Sequence, residues 1–445
     1  MDEEYQLELV LGAVLILGGL AALTYSCSCR RHQRHVRIEG SDVSEMEDVK
    51  EGPAQKPHIL KRLAAPSVIS LGTILIAVGM VKRMEPSRPA ILPPLPPSFH
   101  SSAPPTTPPI PPPPRRVPLI IDTDMAFDVD DVGAVCAAHA LADLGEAEIL
   151  LIVHDAGLFE GIGAVATLNT YYGRAQTPLG AFKGRFGDNV RGPYVHDLVT
   201  HFPSLHKNYS KVLGCGEAYR KALSQAGDSS VAIAAIGFTT CLRELLASAA
   251  DSYSPLSGYD LVAQKVDRIV FQGGWYAPLH PDGHETFNWD CGRGWGFHPE
   301  DDGCTWAAQY VLEHMPPNVR LIFSDVGDEV YHGGGLTTCA GHESPCRQAY
   351  VDYLGPHGSR PSWDPVVVVL AVRGPTALHG SLTDVGWHNR ADGLGANFWA
   401  PTRRNNTRES VFILNGVYPG WRLSRAAVGM TLENLLCTKP VARGP

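Results

Sequence analysis

From residue 117 onward, apolar runs of strand length alternate with longer segments of helical pattern. Almost continuously apolar runs occupy residues 117–121, 149–153, 230–236, 268–271 and 320–323, and an Ala-rich helical pattern occupies residues 132–144. Continuous apolar runs are typical of parallel strands that are covered on both faces. The alternation over residues 117–445 predicts one α/β domain with an open, mostly parallel, Rossmann-like sheet and flanking helices.

The chain before residue 117 has a different pattern, with two long uncharged runs. Residues 9–29 are 21 uncharged positions, so residues 1–29 read as a tail and a first transmembrane helix. Residues 63–81 are 19 uncharged positions and form a second predicted transmembrane helix. The loop between them, residues 30–62, holds eight Lys or Arg residues. The positive-inside rule therefore places this loop in the cytoplasm.

The second predicted helix is followed by a proline-rich linker, residues 82–116. Residues 86–118 contain 15 prolines, which is typical of an extended spacer. With two spans, the domain at residues 117–445 would lie in a lumen or outside the cell; with only the first span, it would be cytoplasmic. The glycosylation sequons Asn208-Tyr-Ser210 and Asn405-Asn-Thr407 agree with the first alternative.

The charge and the cysteine content of the chain argue against a nucleic-acid partner and against a zinc site. The net charge is −9 and the Lys and Arg residues are dispersed, which argues against a nucleic-acid partner. The ten cysteines show no CxxC spacing, which argues against zinc. In an oxidising compartment, Cys291 with Cys304 and Cys339 with Cys346 could close short disulfide loops, although spacing leaves the connectivity open.

A dense acidic cluster follows the first predicted strand directly. Its members are Asp122, Asp124, Asp128, Asp130 and Asp131. A helix cap would explain one or two of them, but carboxylates at this density normally need a cation. An all-oxygen cluster suits Ca²⁺ or Mg²⁺, and ligand sites of open α/β sheets lie at the carboxyl ends of strands. The cluster therefore predicts a metal site.

The segment DTDMAFDVDD at residues 122–131 resembles the DTDPGxDD signature of the calcium-dependent, inosine-uridine-preferring nucleoside hydrolases. Two extra residues lengthen the turn, as in a divergent branch found in fungi, plants and protists. Three more segments resemble family motifs in the same order: AIGFTT at 235–240, FQGG at 271–274 with ETFN at 285–288, and RPSWDP at 360–365. The resemblance covers roughly residues 117–437. It implies a nucleoside-hydrolase-like fold and hydrolysis of an N-ribosidic bond.

The same resemblance implies a calcium site and a catalytic base. The implied Ca²⁺ ligands are the carboxylates of Asp124, Asp131 and Asp364 and the main-chain carbonyl of Ile236. Asp124 would also be the general base for the attacking water, and Asp130 would hydrogen-bond the ribose and brace the site. Asp122 and Asp128 would support these residues from behind.

The implied substrate contacts are Asp155, Glu285, Asn288 and Trp363. Glu285 and Asn288 would bind the ribose hydroxyls, although their spacing differs by one residue from the family's ExN. Trp363 stands where pyrimidine-accepting members have His, and with Asp155 it resembles the purine-preferring members, in which an indole stacks on the base. His154, His280, His284 and His332 are loop candidates for an acid that protonates the leaving base, or else structural histidines.

Other functions stay open at this point. A strand followed by Asp-x-Asp also begins phosphatases with an aspartyl nucleophile, but those need a later Lys and a second acidic pair. Because the ExN region is altered, a membrane protein that binds nucleosides without hydrolysing them stays an alternative. The family commonly forms dimers or tetramers, so a homo-oligomer is one alternative for this protein.

Overall fold

The computed structural model describes residues 116–184, 192–274, 284–285, 288–293, 304–384, 386–401, 408–415 and 420–441. The predicted tail, both predicted transmembrane helices, all but the last residue of the linker and the Asn405 sequon lie outside these residues. Contacts divide the chain into Met1–Ala103 and Pro104–Pro445, and every described residue belongs to the second unit. Among the described residues, no helix is both long and apolar enough to cross a membrane.

The described strands are, in chain order, β1 (Val117–Thr123), β2 (Ala147–His154), β3 (Leu179–Ala181), β4 (Leu213–Gly214), β5 (Val231–Ala235), β6 (Val266–Gln272), β7 (His284–Glu285), β8 (Arg320–Ser324), β9 (Tyr331–His332), β10 (Arg360–Pro361), β11 (Gly380–Asp384), β12 (Trp387–Ala391), β13 (Ala396–Pro401) and β14 (Glu409–Leu414). The described helices are α1 (Asp130–Asp143), α2 (Gly161–Tyr171), α3 (Pro193–His201), α4 (Cys215–Gln225), α5 (Thr240–Ala247), α6 (Gly258–Lys265), α7 (Cys304–His314), α8 (Leu336–Cys339), α9 (Pro345–Leu354), α10 (Trp363–Arg373) and α11 (Gly420–Leu436). Short 3₁₀ turns occupy Tyr209–Lys211 and Pro375–Leu378.

Nine of the described strands form one sheet in the order β11-β14-β8-β6-β5-β1-β2-β3-β4. All its pairings are parallel except that between β11 and β14. The predicted α/β class with a mostly parallel sheet and flanking helices is confirmed. Two small antiparallel sheets, β10-β9 and β12-β13-β7, accompany it.

The order of the strands creates a switch point beside β1. The chain runs from β1 to β2, β3 and β4 on one side and then returns to β5 on the other. Adjacent helices that leave a sheet in opposite directions open a crevice at the carboxyl ends of the strands, where ligands of such sheets bind. Thr123 ends β1, and Ile236 follows β5 directly. The two predicted metal-binding segments therefore meet at this crevice.

Helix α10 lies in the core beside the switch point. It packs against α1 and lies on β5 and β6, and its residues from Asp364 to Ala371 are all buried. A helix that is apolar on all sides is stable only when it is covered on all sides. This burial fixes the start of α10, with Trp363 and Asp364, next to the start of α1.

The eight cysteines of the domain form four disulfides: Cys136–Cys346, Cys215–Cys241, Cys291–Cys304 and Cys339–Cys437. The suggested pair Cys291–Cys304 is present. The suggested pair Cys339–Cys346 is wrong, because the fold brings α1 and α11 to these two cysteines and each finds a distant partner. Proximity in space, not spacing along the chain, decides the connectivity.

Candidate metal centre

The acidic loop between β1 and α1 is almost completely buried. The exposed fraction is 3% for Asp124 and 2% for Asp130 and Asp131. Thr123 Oγ1 donates a hydrogen bond to the Asp131 carboxylate, and the Met125 amide donates to Thr123 Oγ1 at 3.2 Å. Asp130 and Asp131 occupy the first turn of α1, where the partial positive charge of the helix end stabilises carboxylates. The loop therefore fixes its aspartates rather than exposing them to solvent.

Helix α10 brings Asp364 to these aspartates. Carboxylate oxygens of Asp130, Asp131 and Asp364 lie within 4.8 Å of one another. The Asp364 amide donates to Asp130 Oδ2 at 3.1 Å, so Asp130 caps a neighbouring helix. Ser362, the residue before α10, does not cap it, because its Oγ donates to the Val330 carbonyl at 2.8 Å. The three buried carboxylates form a group that could hold a metal ion.

Burial makes this group costly in the absence of a cation. Burial first, and repulsion between neighbouring carboxylates second, hold the pKa values of Asp130, Asp131 and Asp364 well above the usual range. Burial and the charges of Asp130 and Asp128 also raise the pKa of Asp124, whose Oδ2 is buried without a hydrogen-bond partner in the described part of the chain. Buried oxygen ligands of this kind fit a hard divalent cation such as Ca²⁺. Asp124 lies beside the group of three rather than within it, and its charge acts on Asp131.

The end of β5 supplies the predicted carbonyl ligand. The Ile236 carbonyl accepts a hydrogen bond from Asn288 Nδ2 at 3.0 Å, and the same amide donates to Gln272 Oε1 at 2.6 Å. A carbonyl oxygen has two lone pairs, so this bond leaves one for a metal. A Cβ at Gly237 would overlap the Asp155 carboxylate and the Asp124 amide, so only glycine allows this close approach. The predicted ribose contact Asn288 and the predicted ligand Ile236 are thus neighbours.

Asp122 and Asp155 form a buried pair of acids behind the loop. Tyr219 donates its hydroxyl hydrogen to Asp122 Oδ2 at 2.8 Å. Burial raises the pKa of Asp122 to about 7, while hydrogen bonds from Asp155 and Tyr219 oppose the rise. Burial and the charge of Asp122 also raise the pKa of Asp155 well above its usual range. The pair therefore retains a proton near neutral pH, and the supporting role of Asp122 stays a prediction.

Asp128 forms an ion pair with Arg360 next to the carboxylate group. Arg360 Nε lies 2.9 Å from Asp128 Oδ1, and its Nη2 lies 2.5 Å from Oδ2. The guanidinium carbon lies 5.2 Å from the ring centre of Trp363 and 5.8 Å from that of Tyr353. Trp363 is half-buried and packs on Gly327. Sequence reasoning missed Arg360, although the extra acid Asp128 was a signal that a cation must lie nearby.

The two histidine candidates whose side chains the structure describes, His154 and His332, are buried and hydrogen-bonded. Burial lowers the pKa of His154 to about 4 and that of His332 to about 3, so both are neutral near pH 7. His154 Nε2 donates to the Met125 carbonyl at 2.9 Å. His332 accepts from the Tyr350 hydroxyl and donates from Nδ1 to Ser362 Oγ at 2.5 Å. His280 and the side chains of His284 and Glu285 lie outside the described part of the structure.

No protein-family model and no curated protein matches this sequence. The fold is similar to a plant nucleoside hydrolase, with 17% identity, 72% of this chain and 99% of that chain covered, and a TM-score of 0.48. A purine-preferring ribonucleoside hydrolase from Gardnerella vaginalis is 15% identical, with 72% of this chain and 99% of that chain covered and a TM-score of 0.49. An inosine-guanosine nucleoside hydrolase is 18% identical, with 73% of this chain and 99% of that chain covered and a TM-score of 0.48. Similarities at this level do not assign the chain to a family.

Proposed function

We propose that this protein is a hydrolase that cleaves the N-ribosidic bond of purine nucleosides with a Ca²⁺-positioned water. One observation carries the proposal. The buried carboxylates of Asp130, Asp131 and Asp364 converge within 4.8 Å at the switch point of the sheet. Two segments that resemble the nucleoside hydrolase motifs, residues 122–131 and 360–365, supply all three.

The oxygen donors fit Ca²⁺. Asp124, Asp131, Asp364 and the carbonyl of Ile236 would hold the ion, and the unpartnered Asp124 Oδ2 agrees with this assignment. Bound Ca²⁺ would orient two ribose hydroxyls and one water, and it would lower the pKa of that water.

The residues of the chain account for the activation of the water and the binding of the ribose, and the proton that the departing base gains would come from solvent. Asp124 would take the proton of the attacking water through the carboxylate oxygen that does not bind the ion. Asp130 Oδ2 accepts from the Asp364 amide, which leaves its second oxygen for a ribose hydroxyl. Asn288, with Glu285, would bind further hydroxyls. N-glycosidic cleavage develops positive charge on the ribose, and carboxylates fixed in a water-poor site stabilise that charge.

Two residues support the preference for purines. The Trp363 indole is half-buried at the start of α10, beside the predicted ligand Asp364, and a purine offers a large face for stacking. Asp155 is fully buried and pairs with Asp122 next to the aspartate loop, and its predicted contact with the substrate rests on the resemblance. Stacking accelerates the reaction only as far as it strengthens in the transition state.

Base release from a nucleoside panel tests the proposal. Full-length protein should release hypoxanthine, adenine or guanine in the presence of Ca²⁺ and stop when a chelator is added. Asp124→Asn should lose at least about 100-fold in turnover, as expected for a general base. Asp228→Asn, which removes a surface ion pair with Lys265, is the matched control and should keep full activity. Tight Ca²⁺ binding without any base release would instead favour a nucleoside-binding protein without turnover.

We also propose that the domain lies in a lumen or outside the cell, anchored by the two predicted N-terminal helices. Four disulfides among the described residues support an oxidising compartment. Asn208 begins a 3₁₀ turn on the surface, and its side chain accepts from the Ser210 amide. Alkylation of native, unreduced protein should modify none of the eight domain cysteines, and a glycosidase should reduce the apparent mass of wild type by more than that of Asn208→Gln. Free cysteines would contradict the proposal.

A further inference from the structure

We infer that the Asp128–Arg360 ion pair is a positioning device that holds the start of α10 against the aspartate loop and thereby sets the affinity of the centre for Ca²⁺. The inference rests on the proposed function. Asp128 has no counterpart in the shorter DTDPGxDD signature, so its role cannot be taken from that resemblance. It must be read from the contacts of this chain.

The pair is rigid on the side of Asp128. The Val129 amide donates to Asp128 Oδ1 at 2.6 Å, and the Tyr194 hydroxyl donates to the main-chain carbonyl of Asp128. Burial fixes Tyr194 completely. Phe127, the preceding residue, stacks on Phe238 with ring centres 5.7 Å apart. The lengthened turn is therefore held at the β5 side by Phe127 and at the α10 side by Asp128.

Arg360 is equally constrained. Both Nε and Nη2 engage the carboxylate, which is the two-pronged geometry of strong Arg–carboxylate pairs. The rings of Tyr353 and Trp363 lie near the guanidinium, and they restrict its rotation. The pair joins positions 232 residues apart in the chain.

The location of the pair connects it to the metal centre. Asp130 and Asp131 follow Asp128 by two and three residues, and Asp364 follows Arg360 by four. Strand β10, which pairs with β9 and begins with Arg360, and the first turn of α10 transmit the position of Arg360 to Asp364. Groups that orient metal ligands typically change metal affinity by about 10- to 100-fold when they are removed.

A purely electrostatic role predicts the opposite sign for Arg360. Its positive charge opposes a nearby cation, so its removal alone would strengthen Ca²⁺ binding. A positioning role predicts weaker binding, because the loss of the anchor separates the ligands. The variant Arg360→Met therefore distinguishes the two roles by the direction of the change.

A matched control lies at the other end of the same helix. Arg373 binds Glu146 through Nε at 2.6 Å and Nη2 at 2.8 Å, with a similar degree of exposure. Arg373→Met removes an ion pair of the same type from α10 without touching the carboxylate group. It measures the general cost of losing such a pair.

The experiment is a Ca²⁺ titration of full-length protein by calorimetry, with thermal unfolding in chelator as a check on folding. We expect Arg360→Met to raise the Kd about 10-fold or more, Arg360→Lys to raise it less, and Arg373→Met to leave it unchanged. Asp128→Asn combined with Arg360→Met should weaken binding no more than the stronger single change, because the two residues act as one unit.

The outcomes separate this inference from the proposed function. Unchanged or tighter binding by Arg360→Met, in a variant that unfolds at the temperature of Arg373→Met, would overturn the positioning role alone. Wild-type protein that binds no Ca²⁺ would overturn the proposed function and this inference together.

Discussion

At the centre of the site, burial disfavours the charged forms of individual acidic and histidine side chains. Burial raises the pKa of each carboxylate in the group and lowers the pKa of His154 and His332. A bound cation stabilises the charged form of a buried carboxylate, but it does not stabilise a buried neutral histidine. The two kinds of residue therefore respond to acid in opposite directions.

His154 gives a prediction about acid stability. Its pKa falls from 6.5 to about 4 in the folded state, so only the unfolded state gains a proton as the pH drops below 6.5. The stability that His154 contributes is present above pH 6.5 and is lost as the pH falls towards 4. His154→Gln keeps a donor for the Met125 carbonyl but does not titrate. Between about pH 7 and about pH 5, wild type should lose about 2 kcal/mol more stability than the variant.

Urea unfolding at the two pH values, with chelator present, measures this difference. The carboxylates titrate in both proteins and cancel in the comparison, so a lower stability of the variant at neutral pH does not affect the result. Equal pH dependence of the two proteins would show that His154 is not the titrating group.

At the scale of elements, the site is made by two helix starts and two strand ends. Residues 366–369 are four consecutive valines, a run whose propensity favours a strand. The structure makes them helical because Pro365 lies in the first turn and the helix is buried between α1 and the sheet. Tertiary packing thus overrides propensity and places Asp364 in a first turn rather than at a strand end.

Close packing of α1 gives a prediction about Gly133. A Cβ at this position would overlap the Tyr350 hydroxyl and lie 2.5 Å from His332 Nε2. In an isolated helix, Gly→Ala stabilises by about 1 kcal/mol. Here Gly133→Ala should instead destabilise the domain by about 1–3 kcal/mol, because it separates two buried, hydrogen-bonded side chains.

Thermal unfolding of the variant measures this effect. Gly334→Ala is the control, because the nearest atom to a Cβ there lies 3.6 Å away. Its stability should stay within about 0.5 kcal/mol of wild type. A more stable Gly133→Ala would mean that α1 can move away from α9 at no cost.

At the scale of the molecule, the disulfides tie distant segments to the layers around the sheet. Cys136–Cys346 links α1 to α9 over a separation of 210 residues, whereas Cys291–Cys304 spans 13. Longer closed loops restrict the unfolded chain more strongly. This gives a loop-entropy contribution of about 5 kcal/mol for the first bond and about 3 kcal/mol for the second.

Paired alanine replacements test this ranking. The double variant Cys136→Ala/Cys346→Ala should lose more free energy of unfolding than Cys291→Ala/Cys304→Ala, measured by guanidinium unfolding without reductant. Since each variant removes the two sulfur atoms of one buried disulfide, the packing losses are comparable and the difference in free energy of unfolding reports the loop length. The reverse ranking would contradict the entropic explanation.

Much of this organisation was readable from local pattern. The apolar run after residue 116 predicted β1, and the aspartates directly after it predicted a metal site, because strand ends in open α/β sheets carry ligands. The strand continues to Thr123, two residues further than the apolar run. Asp122 therefore lies within β1 and turns towards Tyr219 and Asp155 behind the loop.

What the sequence by itself determined is the fold class, the acidic segment and the chemistry of its ligands, since these depend on local periodicity and residue type. The tertiary structure alone decided which carboxylates converge, that Asp128 binds Arg360, and how the cysteines other than Cys291 and Cys304 pair. These contacts join residues that are far apart in the chain, up to 234 positions. No local pattern encodes such a distance; it is set by the order of the strands and by the burial of α10 against α1.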